Sequence, residues 1–165
     1  MKLLDLATLP LTYTEVGATA GALPPGYHHV QKSAVIGQGR RRFEDAADEG
    51  MRWGMLRGAG LRVDATSEVA GTGSEVLVHF GPVAAPCRVV YVVDEPNRRG
   101  FAYGTLPGHA ESGEERFTVC YDPTTEEVRA EVTAFSRHAT WWSRLGSPVT
   151  SLIQRIVTDR YLRAL

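Results

Sequence analysis

Residues 87–122 read CRVVYVVDEPNRRGFAYGTLPGHAESGEERFTVCYD, a stretch in which the apolar period is two rather than three or four. Glu95-Pro96-Asn97 and Pro107-Gly108 break it, leaving Cys87–Asp94, Gly100–Leu106 and Glu115–Asp122 as three strands. The breaks are shorter than the dozen or so residues a parallel crossover requires, so consecutive strands pair antiparallel. The same period runs outward to Leu61–Ala65 and Glu75–Phe80 before, and to Val128–Phe135 after. Gly71-Thr72-Gly73, Gly81-Pro82 and Asp122-Pro123 punctuate these outer runs. No segment between them is long and periodic enough for a crossover helix, so a meander is expected.

Tyr27–Ile36 precedes the meander as a further strand, ended by Gly37-Gln38-Gly39. From Arg41 to about Leu56, Phe43, Ala47, Met51 and Met55 recur at a spacing of four beside Ala46 and Trp53, which predicts one amphipathic helix. Gly54, Gly58 and Gly60 close it. Arg40, Arg41 and Arg42 stand at its start, where acids are the favoured residues. Near the end of the chain Val149, Leu152, Ile153, Ile156, Val157 and Tyr161 form an apolar helical stripe, with Pro148 in its first turn and Arg160 and Arg163 in its last. That stripe needs an apolar partner, and the sheet is the large one available. The expected class is α+β: a curved antiparallel sheet of about six to seven strands wrapped around a long C-terminal helix, plus a shorter helix near 40–56. Residues 1–26 hold Pro10, Pro24, Pro25 and three glycines and read as an extended N-terminal arm, with Leu9, Leu11 and Tyr13 alternating as a short docking piece. Residues 27–165 read as a single domain.

Composition narrows the function. The 165 residues are 43% hydrophobic and 22% charged with a formal net charge of −1, so no global field favours nucleic acid. No apolar stretch approaches the ~20 residues of a membrane span, which argues against stable membrane insertion. Cys87 and Cys120 sit in strand runs without CxxC spacing and read as ordinary buried thiols. The start Met1-Lys2-Leu3-Leu4-Asp5-Leu6 does not read as a signal peptide, and a cytoplasmic location is the expectation.

Several runs resemble a known family. Leu11-Thr12-Tyr13, Leu23-Pro24-Pro25-Gly26-Tyr27-His28-His29 and Gly37-Gln38-Gly39 are similar to its N-terminal signatures. The unbroken run from Phe101 to Glu115 resembles its central motif, and Thr133-Ala134-Phe135-Ser136-Arg137 and Arg160-Tyr161-Leu162 extend the match. This is the domain-of-unknown-function family 1990, grouped with the helix-grip proteins (START domains, polyketide cyclases and the birch-pollen allergen). Ala110 stands where the family pattern has proline. The resemblance implies a helix-grip fold with a cavity between sheet and helix. It implies no particular reaction, since the architecture serves lipid, hormone and polyketide binders as well as some enzymes.

The segment Leu106–Glu115 carries the most chemistry. Glu115, Phe117, Val119 and Tyr121 share parity and form the more apolar, concave face, with Glu114, Arg116, Thr118 and Cys120 opposite. Glu115 would then enter a cavity rim, where partial desolvation raises the pKa of a carboxyl and suits it to proton transfer or ligand anchoring. The alternative is a strand-end glutamate in water or paired with Arg137. His109, Glu111 and Glu114 show an H-x-E-x-x-E spacing, but glycines rule out a helical metal motif, and hydrogen bonding of His109 and Glu111 to their own turn is the expected use; no metal and no cofactor are expected. His28 and His29 face opposite sides of a strand, and His79 and His138 stand alone. Gly37-Gln38-Gly39 with Arg40–Arg42 lacks a full phosphate-loop pattern and reads as a tight turn with solvated arginines. Trp141-Trp142 reads as core closure.

Three functions follow. The first is a binder of a small hydrophobic or amphipathic ligand, lined by Tyr103, Thr105, His109, Glu111, Glu115, Phe117, Arg137, Ile153, Ile156 and Tyr161. The second is an acid/base enzyme (a cyclase, dehydratase or hydrolase) using the same cavity, with Glu115 or His109 as the catalytic group. The third is an interaction module without ligand, contacting through the arm or Arg40–Arg42; a homodimer burying the arm would favour it.

Overall fold

The computed structural model describes residues 1–139 and 158–165. Seven strands form one antiparallel sheet: β1 (His28–Gln38), β2 (Arg62–Ala65), β3 (Glu75–Phe80), β4 (Val83–Glu95), β5 (Arg98–Thr105), β6 (Glu111–Tyr121) and β7 (Glu127–His138). Their order is β1-β7-β6-β5-β4-β3-β2. The meander from β2 to β7 is sequential, and β1 returns to pair with β7, Val30 opposite Ala134 and Gln31 opposite Thr133. Register shifts between Val35 and Gly37 and between Val89 and Tyr91 mark irregularities of the kind that bend a strand.

The inner face carries one continuous core. Val76 and Val78, Cys87 and Val89, Phe101 and Tyr103, Phe117 and Val119, and Val128, Ala130 and Val132 alternate into it from five neighbouring strands. Over it lies α1 (Arg40–Met51), which buries Phe43, Ala46, Ala47 and Met51 and packs on β5 and β6.

The single helix expected over 41–56 is two helices. A second, α2 (Gly54–Gly58), follows Trp53, whose φ of 67° places it in the left-handed region. A left-handed non-glycine residue costs roughly 1–2 kcal/mol. Trp53 is 0% exposed, meets Phe101 edge-on at 5.1 Å and donates its indole N–H to the Ser67 carbonyl at 3.0 Å. Truncating a side chain so buried costs about 3–5 kcal/mol, so the packing wins over the backbone strain. The apolar spacing runs through this break and hides it.

Two other expectations are corrected. β6 starts at Glu111 rather than Glu115, because Glu111 and Ser112 already pair with His138 and Arg137, and the hairpin connection shrinks to 106–110. The arginines at the front of α1 are not simply solvated. Arg40 donates to the Pro96 carbonyl and to Asn97 Oδ1 (both 2.6 Å) and stacks 4.4 Å from the Tyr121 ring, while Arg42 donates to the Ile36 carbonyl at 3.1 Å.

The N-terminal arm lies on the outer face and includes two short 3-10 turns, Leu3–Asp5 and Ala18–Ala20. Leu6 packs with Leu77 and Leu106 in a small second core. Arg88 ties the arm down by donating to the carbonyls of Leu6 (2.6 Å) and Leu9 (2.8 Å) while pairing with Glu75 at 2.8 Å. Glu114, 2% exposed, anchors the rest: it accepts from Tyr13 Oη (2.6 Å), Gly17 N–H (2.7 Å), Thr19 N–H (3.1 Å) and Thr19 Oγ1 (2.5 Å). Gly17 offers its amide from φ 88°, where glycine has no steric penalty. Gly104, beside Glu114 on β5, leaves room for the phenol: a Cβ there would come within 2.3 Å of Tyr13 Oη. Gly104→Ala is therefore expected to push Tyr13 off Glu114 and lower stability by about 1–3 kcal/mol. A thermal melt checks this, and an unchanged midpoint would mean that the arm moves aside freely.

Of the expected C-terminal helix, residues 158–163 are described and helical, with Tyr161 and Leu162 buried against the core. Pro148, Val149, Leu152, Ile153, Ile156 and Val157 lie outside the described residues, as do Trp141 and Trp142. Among the described residues no helix is long and apolar enough to cross a membrane.

Candidate functional site

Strand alternation and register place Tyr103 of β5 opposite Glu115 of β6, and Phe101 opposite Phe117, on the inner face. Tyr103 Oη donates to Glu115 Oε2 at 3.2 Å. Tyr103 and Phe117 meet edge-on at 5.2 Å, and Phe117 meets Tyr161 edge-on at 5.2 Å. Glu115 thus tops a stack of rings and accepts a hydrogen bond from one phenol. The half-buried carboxyl opens onto a cavity of about 40 Å³, lined also by Tyr103, Thr105, His109, Glu111 and Ser136. A space of that size holds about one water.

The electrostatics follow from this placement. Burial raises Glu115 from the ordinary 4.5 to about 7, with the Glu111 carboxylate adding to the rise and the Tyr103 hydrogen bond opposing it. Burial likewise raises the phenols of Tyr103 and Tyr161, to which the Glu115 charge adds, and it raises the Cys87 thiol. The phenols and the thiol are therefore neutral near pH 7, whereas Glu115 is poised between its two forms.

His109 walls the same cavity. Its Nδ1 accepts the Glu111 N–H at 2.9 Å, which leaves the proton of the neutral ring on Nε2. Burial lowers its pKa to about 4, so the ring is a neutral donor at physiological pH. Thr105 fixes the neighbouring backbone: its Oγ1 accepts from Gly113 N–H at 3.0 Å and shares a 2.5 Å hydrogen bond with Thr12 of the arm.

The structure thus brings Tyr103, Thr105, His109, Glu111 and Glu115 to one cavity, with Phe117 and Tyr161 beneath. Arg137 is not brought there. It occupies the opposite parity of β7 from Ala134, which faces Glu115, and its guanidinium lies 4.9 Å from the Tyr27 ring. Ile153 and Ile156 lie outside the described residues. Glu114 turns to the arm, so it does not converge with His109 and Glu111. Among the described residues, no group of three or more His, Cys, Asp or Glu is arranged to hold a metal ion. Sequence reasoning missed the arm's clasp on Glu114, whose only local signal is the parity that turns Glu114 away from Glu115.

Beside this cavity, at the end of the sheet, lies an open depression of about 470 Å³ bounded by Thr12, Pro107, His109, Ser112, Arg137 and His138. His109 is common to both.

Comparison with known proteins places this architecture. A UPF0548 protein from Deinococcus radiodurans is 34% identical over 170 residues, covering 93% of this chain and 85% of its own length. Among solved structures, a hypothetical protein from Helicobacter pylori superposes with a TM-score of 0.58 at 7% identity, covering 93% of this chain and 95% of that one. Norcoclaurine synthase from Thalictrum flavum, solved with dopamine and hydroxybenzaldehyde, superposes with a TM-score of 0.55 at 11% identity, covering 94% of each chain. At such identities the structural likeness speaks for the fold alone, which is the α+β helix-grip fold of the birch-pollen-allergen type. The family described as Domain of unknown function (DUF1990) matches residues 12–164, nearly the whole chain, and this protein belongs to it.

Proposed function

We propose that the protein binds a small hydrophobic or amphipathic molecule whose polar group meets Glu115 and Tyr103. The observation that supports this most is an acid set over aromatic rings and facing a cavity, with a carboxyl that is half protonated near pH 7. Such a group accepts a hydrogen bond in one form and donates in the other, so it can serve a hydroxyl, a carbonyl or an amine. Its desolvation is a standing cost that stability alone does not explain. The cavity admits about one water or one polar head. The body of the ligand would extend outward from that head past Thr105, His109 and Ser136, which line the cavity.

A second reading is favoured by the same value near 7: an acid so poised suits general acid/base catalysis on the bound molecule. In that case Glu115 exchanges the proton and Tyr103 orients its carboxyl.

Native mass spectrometry of the purified protein should reveal an adduct released on denaturation, and anilinonaphthalene sulfonate should bind in competition with it. Glu115→Gln retains the shape but loses the charge, and should strengthen uptake of this anionic probe at pH 8, where the wild-type carboxylate repels the sulfonate. A protein that carries only its own mass and takes up no probe would overturn the reading. Equal binding by the variant would remove Glu115 from the site.

A further inference from the structure

The depression at the end of β6 and β7 has a composition unlike that of the Glu115 cavity. Its wall contains Arg137, His109, His138 and the hydroxyl residues Thr12 and Ser112, and no carboxylate. Arg137 is exposed and has no acidic partner among the described residues. Nearby Glu15 is engaged elsewhere, accepting from the Tyr27 hydroxyl at 2.8 Å.

The guanidinium is nonetheless held in place. It lies 4.9 Å from the Tyr27 ring, and that ring packs edge-on against Phe135 at 5.0 Å, in the outer face of the sheet. Stacking occupies the flat face of a guanidinium and leaves its five N–H donors around the edge, the geometry that receives two oxygens of a carboxylate or phosphate at once. Across the depression His109 is fixed by the Glu111 amide in the form that keeps an N–H on Nε2.

We propose that this depression is an anion subsite, separate from the Glu115 cavity, that receives the carboxylate or phosphate group of a small molecule on Arg137, with His109 as a neutral donor. The proposal does not rest on Glu115 binding anything. A free anion and the head of an amphipathic acid share the chemistry, and the probes below tell them apart.

The test is a titration of the ¹⁵N-labelled full chain, followed by NMR, with inorganic phosphate, octanoate and octanol. Phosphate or octanoate should shift the amides of Arg137 and Ala139 and the Arg137 Nε–H, which lie outside the Glu115 cavity, while octanol leaves them in place. Octanoate binding at least tenfold tighter than phosphate identifies an amphipathic acid as the occupant; equal or tighter phosphate binding identifies a free anion. Arg137→Gln should weaken the preferred anion at least tenfold, and Arg137→Lys should recover part of that loss, since it restores the charge but not the fork. No shift with either anion, the same shifts with octanol, or wild-type affinity in Arg137→Gln would overturn the proposal. Glu115→Gln should retain these shifts, so failure of the Glu115 reading and failure of this one are distinguishable.

Discussion

Glu114→Ala is expected to destabilise the protein by about 3–5 kcal/mol and to release the N-terminal arm. Hydrogen bonds to a charged group contribute about 1.5–3 kcal/mol each, and orphaned buried donors cost about 1–3 kcal/mol. Glu114 accepts from Tyr13, Gly17 and Thr19, all within one short segment. The full sum is not realised, because the arm can peel away and let water satisfy its donors. The loss is then capped at what the docked arm contributes. For a chain of this size the thermal midpoint should fall by about 6–20 °C. Limited proteolysis should cut within residues 13–21 of the variant while sparing the wild type. A midpoint within about 2 °C of wild type, with the arm still protected, would show that Arg88 and the Leu6 cluster hold the arm unaided.

Glu115→Gln is expected to act in the other direction and stabilise the protein at high pH. An acid whose folded pKa lies above its unfolded value binds more protons when folded. Its contribution therefore weakens stability progressively as pH rises from about 4.5 to about 7, and levels off above that. The shift corresponds to about 3 kcal/mol at pH 8. His109 works against this trend: its pKa is lowered from 6.5 to about 4, so its contribution strengthens as pH rises through that window. The wild-type profile is thus flattened by two opposing slopes. The difference between wild type and Glu115→Gln isolates the acid, and it should be near zero at pH 4.5 and grow to about 2–3 kcal/mol in favour of the variant at pH 8. Urea unfolding across this range measures it, and parallel curves would contradict it. A stabilising loss of a buried acid marks a residue retained for something other than folding.

The sheet was legible because each strand carries its period and each connection its turn residues; Pro96-Asn97 separates β4 from β5, and the connection 106–110 with Pro107-Gly108 separates β5 from β6. The inner face was legible for the same reason, since Glu115, Phe117 and Val119 follow one parity. The break at Trp53 was not, because the spacing of Phe43, Ala47, Met51 and Met55 continues through it while the backbone does not. The outer face was misleading in a different way. Glu114 and Arg88 occupy positions that alternation assigns to water, yet a segment far earlier in the chain covers both. Alternation reports which side a residue faces and is silent on what lies over that side. Arg137, expected to line the cavity beside Glu115 or to pair with it, lies on the opposite parity, which separates the two.

The most direct measurement is the titration of Glu115 itself, followed through its carboxyl carbon by ¹³C NMR with Glu111→Gln as a control on the neighbouring charge. A midpoint near 7, moving downward when Glu111 is neutralised, is the result expected of an acid desolvated over Tyr103 and Phe117. A midpoint near 4.5 would mean that water reaches this carboxyl freely, and the inner-face site would lose its basis.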